Sequence, residues 1–280
     1  MLYQSIPVEV DYEKAGATRP GLQPTLLCYA LSPSDELPAL RKRPAVVLCP
    51  GGAYCFRSDR EAEPVAMRYL AAGVHVFVLA YSVAPARYPC AALELAQAVR
   101  MIRQNADAWH VLPDQVYVSG FSAGGHLAAS LGTLWDEPVF HQAFPEGASW
   151  RPDGMLLCYP VISLREFQHE GSCRALLGEL ADGPMRDALS LETRVTAKTP
   201  PAFLWHTADD GDVPVENSLR FAAALRRAGV SFELHIYEHG VHGLSLCDET
   251  TSASPGQIVP DAAGWMALAL RWIKRRQAQG

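Results

Sequence analysis

The chain has no C-x-x-C pair, no excess of basic charge, and no apolar run approaching the roughly 18 residues of a membrane helix. Each absence removes a class of function. Net charge is −6, so no basic face argues for a nucleic-acid partner. Without a long apolar run, no membrane partner is expected either. The seven cysteines (Cys28, Cys49, Cys55, Cys90, Cys158, Cys173 and Cys247) are odd in number and have no paired spacing. Several lie in apolar, strand-like runs, where a thiol behaves as a small hydrophobe. This argues against a disulfide framework and against a zinc site. The histidines are not set with cysteines or carboxylates at ligand spacing, so no metal and no cofactor are expected. The N-terminal Met1-Leu2-Tyr3-Gln4-Ser5 lacks the charged and apolar regions of a signal peptide. Together with the cysteine usage, that predicts a cytoplasmic protein. No repeat, low-complexity tract or dividing linker is present, so residues 1–280 read as a single domain. Nothing in the sequence bears on oligomeric state.

What the chain does have is a succession of buried-strand signals. Hydrophobic residues make up 49% of it and charged residues 19%, which suits a packed globular core. Phe232 to Tyr237 reads as a last strand, and Ala45 to Cys49, Val74 to Tyr81, Val116 to Val118, Gly154 to Tyr159 and Pro201 to His206 are apolar or nearly apolar runs. Such runs mark strands covered on both faces. Helical patterns separate them over Asp59 to Ala72, Ala92 to Ile102, Val215 to Ala228 and Asp261 to Arg275, and a short helix is expected around Arg174 to Leu180. The first 43 residues carry short alternating segments that look like antiparallel edge strands. The alternation predicts an α/β fold: a mostly parallel, twisted sheet of about eight strands with helices on both faces.

The central signal is Gly120-Phe121-Ser122-Ala123-Gly124, between an apolar strand and a helix-compatible stretch. A serine on so sharp a turn needs room on either side, and glycines two before and two after provide it. The helix N-terminus behind Ser122 favours developing negative charge. Two more polar sites follow predicted strands: an aspartate somewhere in 209 to 212, and His242. In a parallel sheet, loops at the strands' carboxyl ends share one edge, so these distant positions can converge. A serine hydroxyl is a weak nucleophile without a base in reach, and that base needs an orienting carboxylate. His242, between two glycines, is preferred to His239 as the base. His126 and His206 read as internal hydrogen-bonding groups. An oxyanion hole requires backbone N–H groups near the serine. Ala123 supplies one, and Gly52 and Ala53 after the first buried strand are the expected others.

These residues carry a resemblance. The order serine, acid, histidine is that of the α/β-hydrolase fold. The motifs C-P-G-G-A-Y at 49 to 54, Y-S-V-A-P-A-R-Y-P at 81 to 89, G-F-S-A-G-G-H at 120 to 126, T-P-P-A-F-L-W-H-T-A-D-D at 199 to 210, V-P-V-E-N-S at 213 to 218 and G-V-H-G at 240 to 243 are similar to those of bacterial esterases related to hormone-sensitive lipase. The similarity is greatest to the BD-FAE, or acetyl-xylan-esterase-like, branch. That family's H-x-x-x-D-x-x-V-P pattern falls on His206, Asp210, Val213 and Pro214, and implies Asp210 as the acid. The chain departs from the lipase-like H-G-G-G, with Pro50 in the histidine place and Ala53 in the third glycine place. The segment between Tyr159 and Pro200 is short beside the caps of some relatives, which implies a small cap or none and an open site.

The resemblance implies a serine carboxylesterase with Ser122, Asp210 and His242 as its triad. Short acyl esters are expected, acetyl above all, on a small-molecule alcohol such as an acetylated oligosaccharide. The Ala53 methyl and the Tyr54 ring, assigned to substrate binding, would shorten the acyl pocket. Tyr81, Trp205, Asp59 and Arg60 are expected near the mouth. Two rival readings remain: an amide hydrolase of formamidase or peptidase type, and a catalytically silent binding member of the fold.

Overall fold

The apolar runs form the middle of one eight-stranded sheet. The computed structural model describes residues 1–147 and 149–277. The strands are β1 (Leu2–Pro7), β2 (Thr25–Ala30), β3 (Arg43–Cys49), β4 (His75–Ala80), β5 (Val111–Phe121), β6 (Gly154–Cys158), β7 (Ala202–Thr207) and β8 (Phe232–Tyr237). Their spatial order is β1-β2-β4-β3-β5-β6-β7-β8. β1 and β2 pair antiparallel, as does β2 with β4, and every later pairing is parallel. The alternating segments near the N-terminus are therefore the antiparallel edge that their pattern predicts.

Every residue of β3 is buried. Side chains alternate across a strand. Accordingly Ala45, Val47 and Cys49 join one core cluster and Val46 and Leu48 the other. The first cluster is completed by α2 (Cys90–Gln104), α3 (Ser122–Leu134) and α7 (Glu216–Arg227), and the second by α1 (Glu63–Ala71) and α9 (Trp265–Gln277). Burying one large apolar side chain is worth about 1.5 to 3 kcal/mol, and Phe77, Phe203, Trp205, Phe221 and Trp265 are all fully buried. Between β5 and β7 lie α4 (Pro138–Ala143), α5 (Glu170–Leu177) and α6 (Met185–Ala188). A short α8 (Pro260–Ala263) precedes α9.

Three helix boundaries differ from the sequence reading. Over 59 to 72 the chain makes a 3-10 turn at Asp59–Glu61, breaks at Ala62, and starts α1 only at Glu63. Pro64 has no N–H and sits comfortably only in a first helical turn, which fixes the start of α1. The C-terminal helix is divided at Gly264. The short helix expected around Arg174 to Leu180 starts earlier, at Glu170, and passes into a 3-10 turn at Gly178.

The strand order explains where a site can form. From β3 the chain crosses to β4 on one side, then returns past β3 to β5 on the other. The carboxyl ends of β3 and β5 thus flank a topological switch point, where loops diverge and leave a crevice. Cys49 of β3 pairs in register with Gly120 of β5. The loop after β3 and the serine turn after β5 are consequently side by side.

Candidate active site

Ser122 sits at the junction of β5 and α3 with φ +52°, in the left-handed region that non-glycine residues rarely occupy. The cause is close approach. A Cβ on Gly120 would lie 2.0 Å from the Gly124 carbonyl oxygen, and one on Gly124 would lie 2.1 Å from the Cys49 carbonyl oxygen. Only glycine at both positions lets strand, turn and helix pass this tightly. The serine is held out of the turn, 8% exposed, at the end of a helix dipole.

His242 reaches Ser122 from the loop after β8. Its Nε2 lies 2.8 Å from Ser122 Oγ, and its Nδ1 lies 2.7 Å from Asp210 Oδ2. The partners set the tautomer: Nδ1–H donates to the carboxylate, and Nε2 accepts from the hydroxyl. Asp210 follows β7, and its side chain is fully buried. Its Oδ1 accepts from the N–H groups of Asp212 (3.0 Å) and Val213 (2.9 Å). His206 Nε2 lies 3.3 Å from Oδ2. Burial pushes the Asp210 carboxyl upward, but hydrogen bonds from His206 and His242 outweigh it and hold the group well below the usual carboxylate range. The neighbouring acids behave differently. Asp209 faces His239 and the Gly240 N–H at the surface, and no bond joins it to His242.

The loop after β3 carries two successive non-glycine residues at positive φ, Ala53 (+56°) and Tyr54 (+59°). Such backbone is held only where its surroundings enforce it, and it gathers at functional sites. The Gly51 N–H donates to Glu61 Oε2 at 2.8 Å. Among the described residues, the N–H groups of Gly52, Ala53 and Ala123 have no acceptor. Ala123 directly follows the serine, and the loop that carries Gly52 and Ala53 runs alongside its turn.

Several other residues lie away from the expected positions. Tyr54 is 3% exposed, and its hydroxyl turns inward to His126 Nδ1 at 3.0 Å. His126 is wholly buried and donates from Nε2 to the Leu189 carbonyl (3.0 Å), which fixes it as an acceptor at Nδ1. Tyr81 and Trp205, expected near the mouth, are fully buried core residues. Tyr81 directly follows β4 and Trp205 lies within β7, and a sequence pattern does not say which way such a ring turns. Arg60 is taken up by the Gly243 and Thr251 carbonyls rather than by the mouth. Sequence reasoning missed two contributors. His169, at the start of α5, is held below its usual range chiefly by burial. Glu61, 3% exposed, lies behind the β3 loop. No local signal marks either, because their partners are distant in sequence.

A serine on a strand-to-helix turn, above an eight-stranded and mostly parallel sheet, defines an α/β hydrolase by fold. Within that class the chain belongs to the BD-FAE family, whose profile matches residues 37–225. It is similar to endo-1,4-beta-xylanase B of Butyrivibrio fibrisolvens, at 36% identity over 86% of this chain and 37% of that protein. It is also similar to an acetylxylan esterase of Xylanibacter ruminicola, at 31% identity over 79% of this chain and 45% of that protein. The chain thus spans less than half the length of these two curated relatives. Among solved structures, the acetyl ester-xyloside bifunctional hydrolase from Caldicellulosiruptor lactoaceticus shares 38% identity with a TM-score of 0.83, covering 98% of this chain and 96% of that one.

Proposed function

We propose that the protein is a serine carboxylesterase whose triad is Ser122, His242 and Asp210, acting on short acyl esters. One observation carries this reading: His242 stands in hydrogen-bond contact with Ser122 Oγ and with Asp210 at the same time. Neutral His242 takes the proton as Oγ attacks the ester carbonyl. Buried Asp210 holds the ring and stabilises the imidazolium. The N–H groups of Gly52, Ala53 and Ala123 receive the oxyanion, an arrangement in which each donor is worth roughly a hundredfold or more in kcat. The imidazolium then protonates the departing alcohol, leaving an acyl-serine. Water, deprotonated by His242, attacks that acyl group and releases the acid, and the proton returns to Ser122.

The substrate we assign is an acetylated xylo-oligosaccharide or a similar small sugar ester. The names of the relatives support it, since they include an acetylxylan esterase and an acetyl ester-xyloside hydrolase. The Ala53 methyl beside the free N–H groups favours a short acyl chain. Tyr54, 3% exposed and bonded to His126, acts on the pocket from the core side. All seven cysteines are unpaired, six of them buried, which suits a reducing cytoplasm and a substrate small enough to be imported. The activity resides in one domain spanning residues 1–280.

The test is kcat/KM on p-nitrophenyl acetate, butyrate and octanoate, with acetate release from acetylated xylo-oligosaccharides. Acetate is the preferred acyl group, and each added methylene is worth only about 1 to 3 kcal/mol in discrimination. A preference for octanoate, or no acetate released from any sugar ester, overturns the substrate while leaving the triad. Hydrolysis that persists in Ser122→Ala overturns the mechanism.

A further inference from the structure

The chemistry proposed above needs two loops held in fixed relation: the one after β3, which offers the N–H groups, and the one after β8, which carries His242. They come from strands at different places in the sheet. The 3-10 turn Asp59–Glu61 touches both. Arg60 donates from Nη2 to the Gly243 carbonyl (2.6 Å) and from Nε to the Thr251 carbonyl (2.5 Å), and its own carbonyl accepts from Ser245 Oγ (2.6 Å). These contacts fasten the turn to the histidine loop.

Glu61, the next residue, makes the second connection. Its Oε2 accepts from the Gly51 N–H (2.8 Å), and its Oε1 accepts from the Tyr159 hydroxyl (2.6 Å). Tyr159 is 2% exposed, and its hydroxyl in turn accepts the Ser245 N–H at 2.8 Å. The Tyr159 ring lies edge-on to the His242 imidazole, with centroids 5.1 Å apart. A Cβ built on Gly51 would fall 2.7 Å from Glu61 Oε2 and 3.1 Å from Ser122 Cβ. Little more than the Gly51 backbone separates this carboxylate from the serine.

We infer that Glu61 is a positioning residue for the esterase reaction, clamping the oxyanion loop through Gly51 and the histidine loop through Tyr159. The inference rests on the esterase reading. It explains why Gly51 contributes no N–H to the oxyanion: that donor is already turned to Glu61, which sets the direction of the peptide planes that follow. The side-chain chemistry is specific. Both partners are donors, so residue 61 must present two acceptors, and only a carboxylate does so. Glutamine has the same shape but fails either way round. One orientation sets its amide N–H groups against the Gly51 N–H. The other turns them to Tyr159 and leaves the phenolic O–H without its acceptor. Burial raises the Glu61 carboxyl, while its bonds from Tyr159 and Gly51 and the nearby Arg60 charge oppose that rise.

The experiment uses the full chain with Glu61→Gln and, separately, Tyr159→Phe, which keeps the Gly51 bond and removes the link to Ser245. Folded fraction and Tm are read by circular dichroism, and activity is expressed per folded protein. Wild type and Ser122→Ala are assayed alongside, so a failure of the esterase reading shows independently as activity without Ser122. Glu61→Gln is expected to lower kcat on p-nitrophenyl acetate about 10- to 100-fold, somewhat less than loss of an oxyanion donor itself, with KM changed less than threefold. Affinity for a methyl trifluoromethyl ketone, which forms the tetrahedral adduct, falls by a similar factor. Affinity for the corresponding unreactive acetamide stays constant. Tyr159→Phe shows the same pattern at smaller size. If folded Glu61→Gln keeps kcat within threefold of wild type, or loses only KM, Glu61 is structural and the inference fails. Should Glu61→Gln not fold, wild-type kcat in Tyr159→Phe overturns it instead.

Discussion

At the scale of single residues, the site separates near-identical neighbours by what each one touches. Ser122→Ala should lower kcat by roughly four to six orders of magnitude, as removal of a triad serine does. Measured turnover of p-nitrophenyl acetate above a few per cent of wild type would reject the serine. The aspartates give a finer test. Asp210→Asn presents an amide where His242 Nδ1–H needs an acceptor, which favours the wrong tautomer, and kcat should fall about 10⁴-fold. Asp209 bonds His239 and the Gly240 N–H at the surface, so Asp209→Asn should cost less than about tenfold in the same assay, since exposed pairs contribute little. If Asp209→Asn is the more damaging of the two, the acid has been misassigned. Ser122, and His242 between its glycines, stand out in the sequence because strand and turn signals bracket them. Asp210 stands out from Asp209 and Asp212 only through the family's spacing from His206. Glu61 does not stand out at all: its partner Tyr159 lies 98 positions away, and no periodicity records a contact of that separation.

At the scale of elements, the turn works because β3, β5 and α3 approach within contact of one another's backbones. Gly124→Ala tests this directly. Its new Cβ would meet the Cys49 and Pro50 carbonyl oxygens at 2.1 and 2.4 Å, both backbone atoms that cannot swing away. Either the β3 loop or the α3 N-terminus must shift, and overpacking of this kind destabilises by about 3 kcal/mol or more. Gly256→Ala is the matched control, with nothing within 4 Å of the new methyl. It should change stability by no more than about 0.5 kcal/mol. Guanidinium denaturation midpoints decide between them, and equal midpoints would show that the crowding is relieved at little cost. Strand positions were the most legible part of the fold. A run such as Ala45 to Cys49 is apolar for a reason that sequence displays: both of its faces meet core. Strand ends were less legible. Tyr81 stands just past β4, and the register that decides whether its ring enters the core or the cleft is set by the neighbouring strands.

At the scale of the whole molecule, the sheet is also fastened at the edge opposite the site, through a buried histidine. His75 begins β4 and is fully buried. Its Nδ1 accepts from the Leu31 N–H after β2 (3.2 Å), and its Nε2 donates to the His110 carbonyl before β5 (3.2 Å). A single neutral imidazole therefore joins three strand ends. Burial lowers its pKa to about 4 against the bond to the His110 carbonyl, which favours the protonated ring, and the neighbouring Arg43 charge adds to the lowering. The sign follows from proton counting. An unfolded histidine takes its proton near pH 6.5, whereas the folded one takes it only near 4. Between those values the unfolded state binds more protons, so the contribution is complete above pH 6.5 and is lost as pH falls toward 4. The magnitude is on the order of 3 kcal/mol. Burial raises Glu61 and Glu94, and their contributions run the opposite way. They are common to wild type and variant, so they cancel in a comparison. His75→Gln should accordingly be less stable than wild type at pH 7, because glutamine cannot reproduce both bonds. Yet its further loss between pH 7 and pH 4 should be smaller than that of wild type by roughly 3 kcal/mol. Urea unfolding of both proteins at pH 7, 5.5 and 4 measures the difference. Parallel losses in the two would mean that His75 does not titrate in this window, and that the acid sensitivity of the molecule lies elsewhere.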